Sequence, residues 1–362
     1  MTAVPTATAV DQVLVTAAAG DAITNLARSL RPVFERIGPS RLFARNVDPH
    51  LAGEVAPLDA YPDRAGRRVI VFHASIGEPI VHRFLQQRSE PIVLVYHNIT
   101  PAEHFAPWDP TFAALLAEGR EEVGALRGRV ARVVADSPFN ARELAAMGYD
   151  DVVVVPPALD GRRLHAIEPS AAALERARAF PAPLVLSVAQ LLPHKRPDFL
   201  VEAVHVARTY LGFPGTLCLV GHQRLAPYRR AIRRQISELG VTSVDLTGPV
   251  DDDLLAALYR TADVVVSASE HEGFCLPLIE AMSFGVPVVA RAFAAVPETV
   301  GDAGILLPPG RGPAFMAEAL AELLSDTALQ EDLARRGRDR AIDLWGRDHD
   351  RTLLAIVRGV AV

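Results

Sequence analysis

Short apolar runs, each closed by a polar or glycine cluster, recur along the chain and predict strands buried on both faces of a parallel sheet. They stand at 13–15, 69–72, 92–96, 133–135, 152–155, 184–188, 217–220, 244–247, 264–266 and 286–289. Between them apolar residues take helical spacing, as in Leu26, Leu30 and Phe34, in Leu254, Leu255 and Leu258, and in Met316, Ala319, Leu320, Leu323 and Leu324. Further helices are predicted over 140–147, from about Asp198, and over 328–344. Regular alternation of strand and helix places the chain in the α/β class. Within 264–289, Pro277 suits a first helical turn and Gly285 the residue just past a helix end, so this stretch reads strand, loop, helix, strand.

At 362 residues the chain exceeds the usual size of one core. Two domains are expected, 1–165 and 166–344, with a helix at about 345–362 packing back on the first. The polar, alanine-rich and proline-bounded stretch from Ala158 to Pro183 is the expected hinge. No run approaches the roughly 20 apolar residues of a membrane span, and the first ten residues lack a basic region followed by an apolar core, so no secretory signal is expected. Cys218 and Cys275 are the only cysteines, too few for a disulfide framework and consistent with a reducing compartment. A formal charge of −6 argues against a broad nucleic-acid footprint and leaves room for one local basic loop. The expected location is the cytoplasm, or the inner membrane face with peripheral contact.

Chemistry is expected at the carboxyl ends of the strands, where ligands bind in open α/β sheets. After the first strand, Gly20 and Asp21 either touch a ligand or form a plain turn in which Asp21 caps the following helix. The glycine-rich dinucleotide fingerprint is absent, which gives no support to hydride transfer. His73 and His97 each follow an apolar strand; His97 is the stronger candidate for chemistry, and His73 is equally explained by a bond to neighbouring backbone. Phe105, Trp108 and Phe112 either wall an acceptor pocket or simply pack a lid or core. Lys195 and Arg196 put adjacent cations after the first strand of the second domain, a place suited to a diphosphate. Asp251, Asp252 and Asp253 precede a helical pattern and are expected to cap it rather than bind a metal. Glu272 and Glu280 flank a loop and helix start whose N–H groups at Phe274 to Leu276 favour an anion.

These residues resemble retaining glycosyltransferases of family 4, which have the GT-B fold of two facing Rossmann-like domains with parallel sheets and an interdomain cleft. The resemblance covers nearly the whole chain and is most specific at Glu272 to Met282, similar to the family's E-x7-E region, followed by Gly285 to Val289 and Pro297-Glu298. Ser137 with Asn140, Leu191 to Arg196, Thr247 to Val250 and Gly301 to Gly304 add support, and the block Tyr96-His97-Asn98-Ile99-Thr100-Pro101 looks like a subgroup pattern.

The resemblance implies transfer of a sugar from a nucleotide-diphosphate donor of UDP or GDP type to a hydroxyl acceptor, with no metal and no further cofactor. The acceptor would be a sugar, a lipid-linked group or a small molecule. Glu280 would hold the ribose hydroxyls and Glu272 the transferred sugar, with Gly273, Phe274, Cys275 and Leu276 offering backbone N–H groups. Lys195 would neutralise the leaving diphosphate and His97 would lie near the anomeric carbon. Gly20, Gln190, Arg196, Gly248 and Val250 complete the implied donor contacts. Gln190 stands where the family usually places an arginine, Cys275 replaces a common glycine, and Gly20 stands alone in place of frequent paired glycines. A thiol at 275 is tolerated where the backbone φ is negative. The alternatives are a nucleotide-sugar-binding protein without catalysis and, further off, a sugar-nucleotide epimerase.

Overall fold

The computed structural model describes residues 8–63, 67–157, 162–346 and 348–361. The chain divides into two compact units, Met1–Ala106 with Pro110–Leu159 and Arg347–Val362, and Pro107–Asp109 with Asp160–Gly346. Among the described residues no helix is long and apolar enough to cross a membrane.

The first unit runs β1 (Ala9–Ala17), α1 (Ala22–Phe34), β2 (Ser40–Val47), β3 (Val55–Pro57), β4 (Arg68–Ala74), α2 (Pro79–Gln87), β5 (Ile92–Tyr96), α3 (Pro110–Ala125), β6 (Val130–Ala135), α4 (Pro138–Ala146) and β7 (Val153–Val154). Its seven strands lie in the order β3-β2-β1-β4-β5-β6-β7, and every pairing is parallel. All of β1 except Thr16 is buried, so the strand begins four residues before its apolar run. Asp11 and Gln12 are tolerated there because each has a partner: Arg68 Nη1 lies 2.6 Å from the Asp11 carboxylate, and Gln12 Nε2 donates to Ala27 O at 2.8 Å. β2 and β3 were not foreshadowed by any apolar run, since β2 reads SRLFARNV and buries only part of its length.

The second unit runs α5 (Arg162–His165), α6 (Ala171–Arg178), β8 (Leu184–Val188), α7 (Pro197–Leu211), β9 (Thr216–Val220), α8 (Ala226–Glu238), β10 (Val244–Gly248), α9 (Asp252–Thr261), β11 (Val264–Ser267), α10 (Leu276–Ser283), β12 (Val288–Arg291), α11 (Val296–Val300), β13 (Ile305–Leu307), α12 (Pro313–Ser325) and α13 (Thr327–Gly346). Its six strands lie in the order β10-β9-β8-β11-β12-β13, again all parallel. In both sheets the third strand in sequence lies at one edge and the chain crosses over the first strand to build the other half. This creates a topological switch point between β1 and β4 and another between β8 and β11.

One expectation needs correction. The stretch Ala158 to Pro183 is not one long hinge: 158–161 lies outside the described residues, and beyond it α6 packs on α9, with Ala173 and Ala177 buried in the second unit's core. Ser170 caps α6 and is itself bonded to Asp253, which ties this helix down. Pro297 and Glu298 form part of α11, whose residues Val296, Thr299 and Val300 are buried. After α13 the chain returns to the first unit in α14 (His349–Val360), which buries Leu353 and Val357 with Leu26, Leu30 and Phe34.

Candidate functional site

The loops after β8 and β11 flank the second sheet's switch point and are laced together. Glu270 N donates to His194 O at 2.8 Å, and Lys195 Nζ donates to Glu272 Oε1 at 2.7 Å. The two side chains of this ion pair are 19% and 11% exposed. The loop after β9 joins the same surface, with Leu191 N bonded to His222 O and Ala189 N to Val220 O. Gly221, at φ 144°, is required here, since a Cβ would lie 2.1 Å from Ala189 O. Its N–H reaches Gly248 O, so the end of β10 is fixed as well, with Val250 half-buried beyond it.

Arg196 takes a left-handed conformation (φ 52°) at the start of α7 and is held by two carboxylates. Its Nη2 lies 2.8 Å from Asp198 Oδ2, and its Nη1 donates to Glu270 Oε1. Burial alone would lower its pKa, but Asp198 and Glu270 outweigh that and raise it. Glu270 also accepts from Arg291 Nη1 at 2.9 Å, and the buried Arg291 guanidinium lies over the Phe199 and Phe293 rings. Arg196 therefore has its charge engaged, and Gln190 is an exposed side chain.

Past the Lys195–Glu272 pair the chain enters α10 through Cys275, the N-cap residue, with no side-chain cap. The φ of Cys275 is 64°, so the condition set by a negative φ is not met. A residue with a Cβ occupies a left-handed position that glycine takes more cheaply, at roughly 1–2 kcal/mol. The thiol is buried in the core of the second unit, and burial followed by the Glu272 charge pushes its pKa well above the usual thiol value. The uncapped start of α10 leaves first-turn N–H groups and the positive end of the helix dipole for an anion. One turn on, Glu280 accepts from Tyr259 Oη at 2.8 Å. Burial raises its pKa, partly offset by the Tyr259 bond.

The neighbouring acidic run has structural partners. Asp251 caps α9 by accepting from Leu254 N at 2.9 Å, as expected, Asp252 pairs with Arg163, and Asp253 accepts from Ser170. Among the described residues no group of three His, Cys, Asp or Glu side chains is placed to hold a metal ion.

In the first unit the end of β1 leads to the exposed Gly20, at φ 76°, and Asp21 caps α1 by accepting from Thr24 N at 2.9 Å. His97, just past β5, has both ring nitrogens bonded: Nδ1 lies 2.8 Å from Asp136 Oδ2 and Nε2 lies 2.8 Å from His73 Nδ1. His73 Nε2 in turn lies 3.0 Å from Gln12 Oε1. Asn98, at φ 80°, donates to Asn140 Oδ1 and Glu143 Oε2, and Arg120 joins Ile99 O to Glu143 Oε1. The partners Gln12, Asp136, Glu143, Tyr259 and Arg291 carried no signal in the sequence, because each is brought in from a distant strand or helix.

Residues 176–340 match the model of the family described as Glycosyl transferases group 1. The chain is 36% identical over 218 residues to a D-inositol 3-phosphate glycosyltransferase of Geodermatophilus obscurus, covering 57% of this chain and 48% of that protein, so the match spans about half the relative's length. Among solved structures, sucrose-phosphate synthase from Thermosynechococcus elongatus superposes with a TM-score of 0.75 at 21% identity, covering 98% of this chain and 99% of that one. Anabaena HepE in complex with UDP and glucose does so with a TM-score of 0.76 at 17% identity, covering 97% and 100%. Over 176–340 the chain is thus similar to the group 1 glycosyltransferases, and its two parallel-sheet units have the α/β GT-B fold.

Proposed function

We propose that this chain is a retaining glycosyltransferase that moves a sugar from a nucleoside-diphosphate donor, UDP or GDP in type, to a hydroxyl acceptor without a metal ion. The observation that carries the reading is the Lys195–Glu272 pair at the second sheet's switch point, directly ahead of the uncapped start of α10. The group 1 family match over 176–340 and the fold shared with HepE support it.

In this reading the second unit holds the donor. The bond between the anomeric carbon and the diphosphate oxygen breaks with its electrons on that oxygen, and a bond to the acceptor oxygen forms on the same face. The acceptor's proton passes to the departing phosphate. Charge therefore builds on the diphosphate as the barrier is crossed, which is where an ammonium at Lys195 and the N–H groups of Phe274, Cys275 and Leu276 contribute most. Binding the diphosphate draws Lys195 away from Glu272 and frees that carboxylate for sugar hydroxyls. Glu280, already oriented by Tyr259, accepts from the ribose. The first unit takes the acceptor, a sugar, lipid-linked or small-molecule hydroxyl, and the protein works in the cytoplasm or at the inner membrane face.

Incubation with a panel of UDP and GDP sugars and hydroxyl acceptors, with products followed by mass spectrometry and repeated in a chelator, tests this. The expected result is acceptor-dependent product with retained configuration that survives the chelator. Donor turnover by wild type equal to that of Glu272→Ala and Lys195→Ala would overturn it.

A further inference from the structure

The hydrogen bonds that join Gln12, His73, His97 and Asp136 have a direction, and one end of the chain fixes it. Gln12 Nε2 lies 2.8 Å from Ala27 O, a backbone carbonyl that can only accept. The amide is therefore oriented with Oε1 toward His73 Nε2, at 3.0 Å. An amide oxygen also only accepts, so His73 carries its hydrogen on Nε2.

The next link depends on whether His73 has a second hydrogen. His73 is fully buried, and its hydrogen-bond partners among the described residues are Gln12 and His97, neither of them an anion. Burial first, and then His97, lowers its pKa well below the usual histidine value, so it is neutral and its Nδ1 is a bare acceptor. The His73 and His97 rings lie 7° apart in plane with centroids at 5.1 Å, edge to edge, as an in-plane N–H···N bond of 2.8 Å requires. His97 Nε2 must supply that hydrogen. At its other nitrogen His97 faces the Asp136 carboxylate at 2.8 Å, and a carboxylate accepts.

We infer that Gln12 and His73 are positioning residues that fix His97 with a hydrogen on each ring nitrogen, as a cation held against Asp136, so that this strand-end histidine is no general base. A ring in this state has no lone pair with which to take a proton. Its side chain is 3% exposed, and the Asp136 side chain 7%, so the pair also pins the turn from His97 to Asn98 at the end of β5. Reversing the Gln12–His73 bond sets Gln12 Nε2 against His73 and its oxygen against the Ala27 carbonyl, which cannot donate, and reversing the His73–His97 bond would place the charge on the fully buried His73. The inference deepens the proposed function, in which the acceptor's proton passes to the departing phosphate, by leaving His97 no lone pair to compete for it, and it rests on that reading only for the reaction the cation serves.

The test is spectroscopic and needs no substrate. The full chain is labelled with ¹⁵N at histidine, and ring-nitrogen spectra are recorded near pH 7, with His73→Gln and His97→Gln used for assignment. The expected spectrum has two protonated nitrogens for His97, and one protonated Nε2 with a bare Nδ1 for His73. In Gln12→Leu the constraint on His73 is released, so His73 is expected to move its hydrogen to Nδ1 and His97 to show a bare Nε2. A bare nitrogen on His97 in the wild type, or a Gln12→Leu spectrum identical to the wild type, overturns the inference. Absence of glycosyl transfer with the expected spectra would sink the functional reading and leave this one standing.

Discussion

At the carboxyl ends of the first sheet, Gln12, His73, His97 and Asp136 are joined in the interior, where His73 and Gln12 are fully buried. At the corresponding place in the second sheet Lys195 and Glu272 meet across two loops with 19% and 11% of their side chains exposed. The first cluster is closed, since both ring nitrogens of His73 and of His97 and both amide atoms of Gln12 have partners inside the fold. The second is an ion pair that water reaches and that a charged ligand can exchange. A buried polar chain is costly to break because it strands donors away from water. A partly exposed pair contributes little to folding. The two clusters should therefore separate under mutation, one acting on stability and the other on turnover.

The largest expected effect is on the open side. Glu272→Ala or Lys195→Ala should lower donor turnover about 100- to 1,000-fold, the scale seen when one preorganised contact to a charged transition state is lost. Urea unfolding of both variants should stay within about 1 kcal/mol of wild type. A stability loss of several kcal/mol without a selective loss of turnover would show that the pair is structural and that the contrast between the sheets is wrong.

On the closed side, Asp136→Ala removes the acceptor for His97 Nδ1 and leaves a donor stranded next to a neutral His73. The expected loss is about 1–3 kcal/mol of unfolding free energy. The measurement is the urea midpoint at constant slope. A midpoint unchanged from wild type would mean that His97 finds another partner and that the first cluster is no more closed than the second.

How far each cluster could be read in advance follows the same division. The strands at β4, β5, β8, β9 and β11 were legible because a strand covered on both faces is a continuous apolar run. Lys195, Glu272 and Glu280 stood out as candidates because they sit in two short stretches of sequence. β2 was not legible, since its buried positions are interrupted by arginines, and β13 is only three residues long. Gln12 hides inside β1, buried except at Thr16, where a polar residue reads as an interruption, and nothing local reveals that Ala27 and His73 satisfy it. The positive φ at Cys275 was also out of reach, because a cysteine gives no cue to a left-handed backbone.

That left-handed position gives a smaller test on the open side. Cys275→Val places a β-branched side chain at φ 64° and should cost about 2 kcal/mol, while Cys275→Gly relieves the strain, loses a buried thiol, and should stay within about 1 kcal/mol of wild type. Urea unfolding of the two variants separates strain from packing. If valine is tolerated as well as glycine, the α10 entry is not held left-handed, and its N–H groups are not set for an anion.

The smallest effect concerns Glu280, which shares features of both clusters because it is half-buried and bonded to Tyr259 yet is proposed to hold the donor's ribose. Burial holds its pKa above the unfolded value, with the Tyr259 bond opposing. The unfolded chain therefore releases this proton more readily than the folded one. The glutamate's contribution to stability is greatest below the unfolded carboxylate value and is lost as pH rises through the folded value. Glu280→Gln keeps an acceptor for Tyr259 and has no such dependence, so it should be more stable than wild type at neutral pH, and the difference should shrink as pH falls toward 4. Thermal unfolding of the pair at several pH values gives the answer. A gap that widens on acidification would mean that the carboxylate is stabilised as an anion in the free protein, and would move Glu280 to the ion-pair side of the comparison.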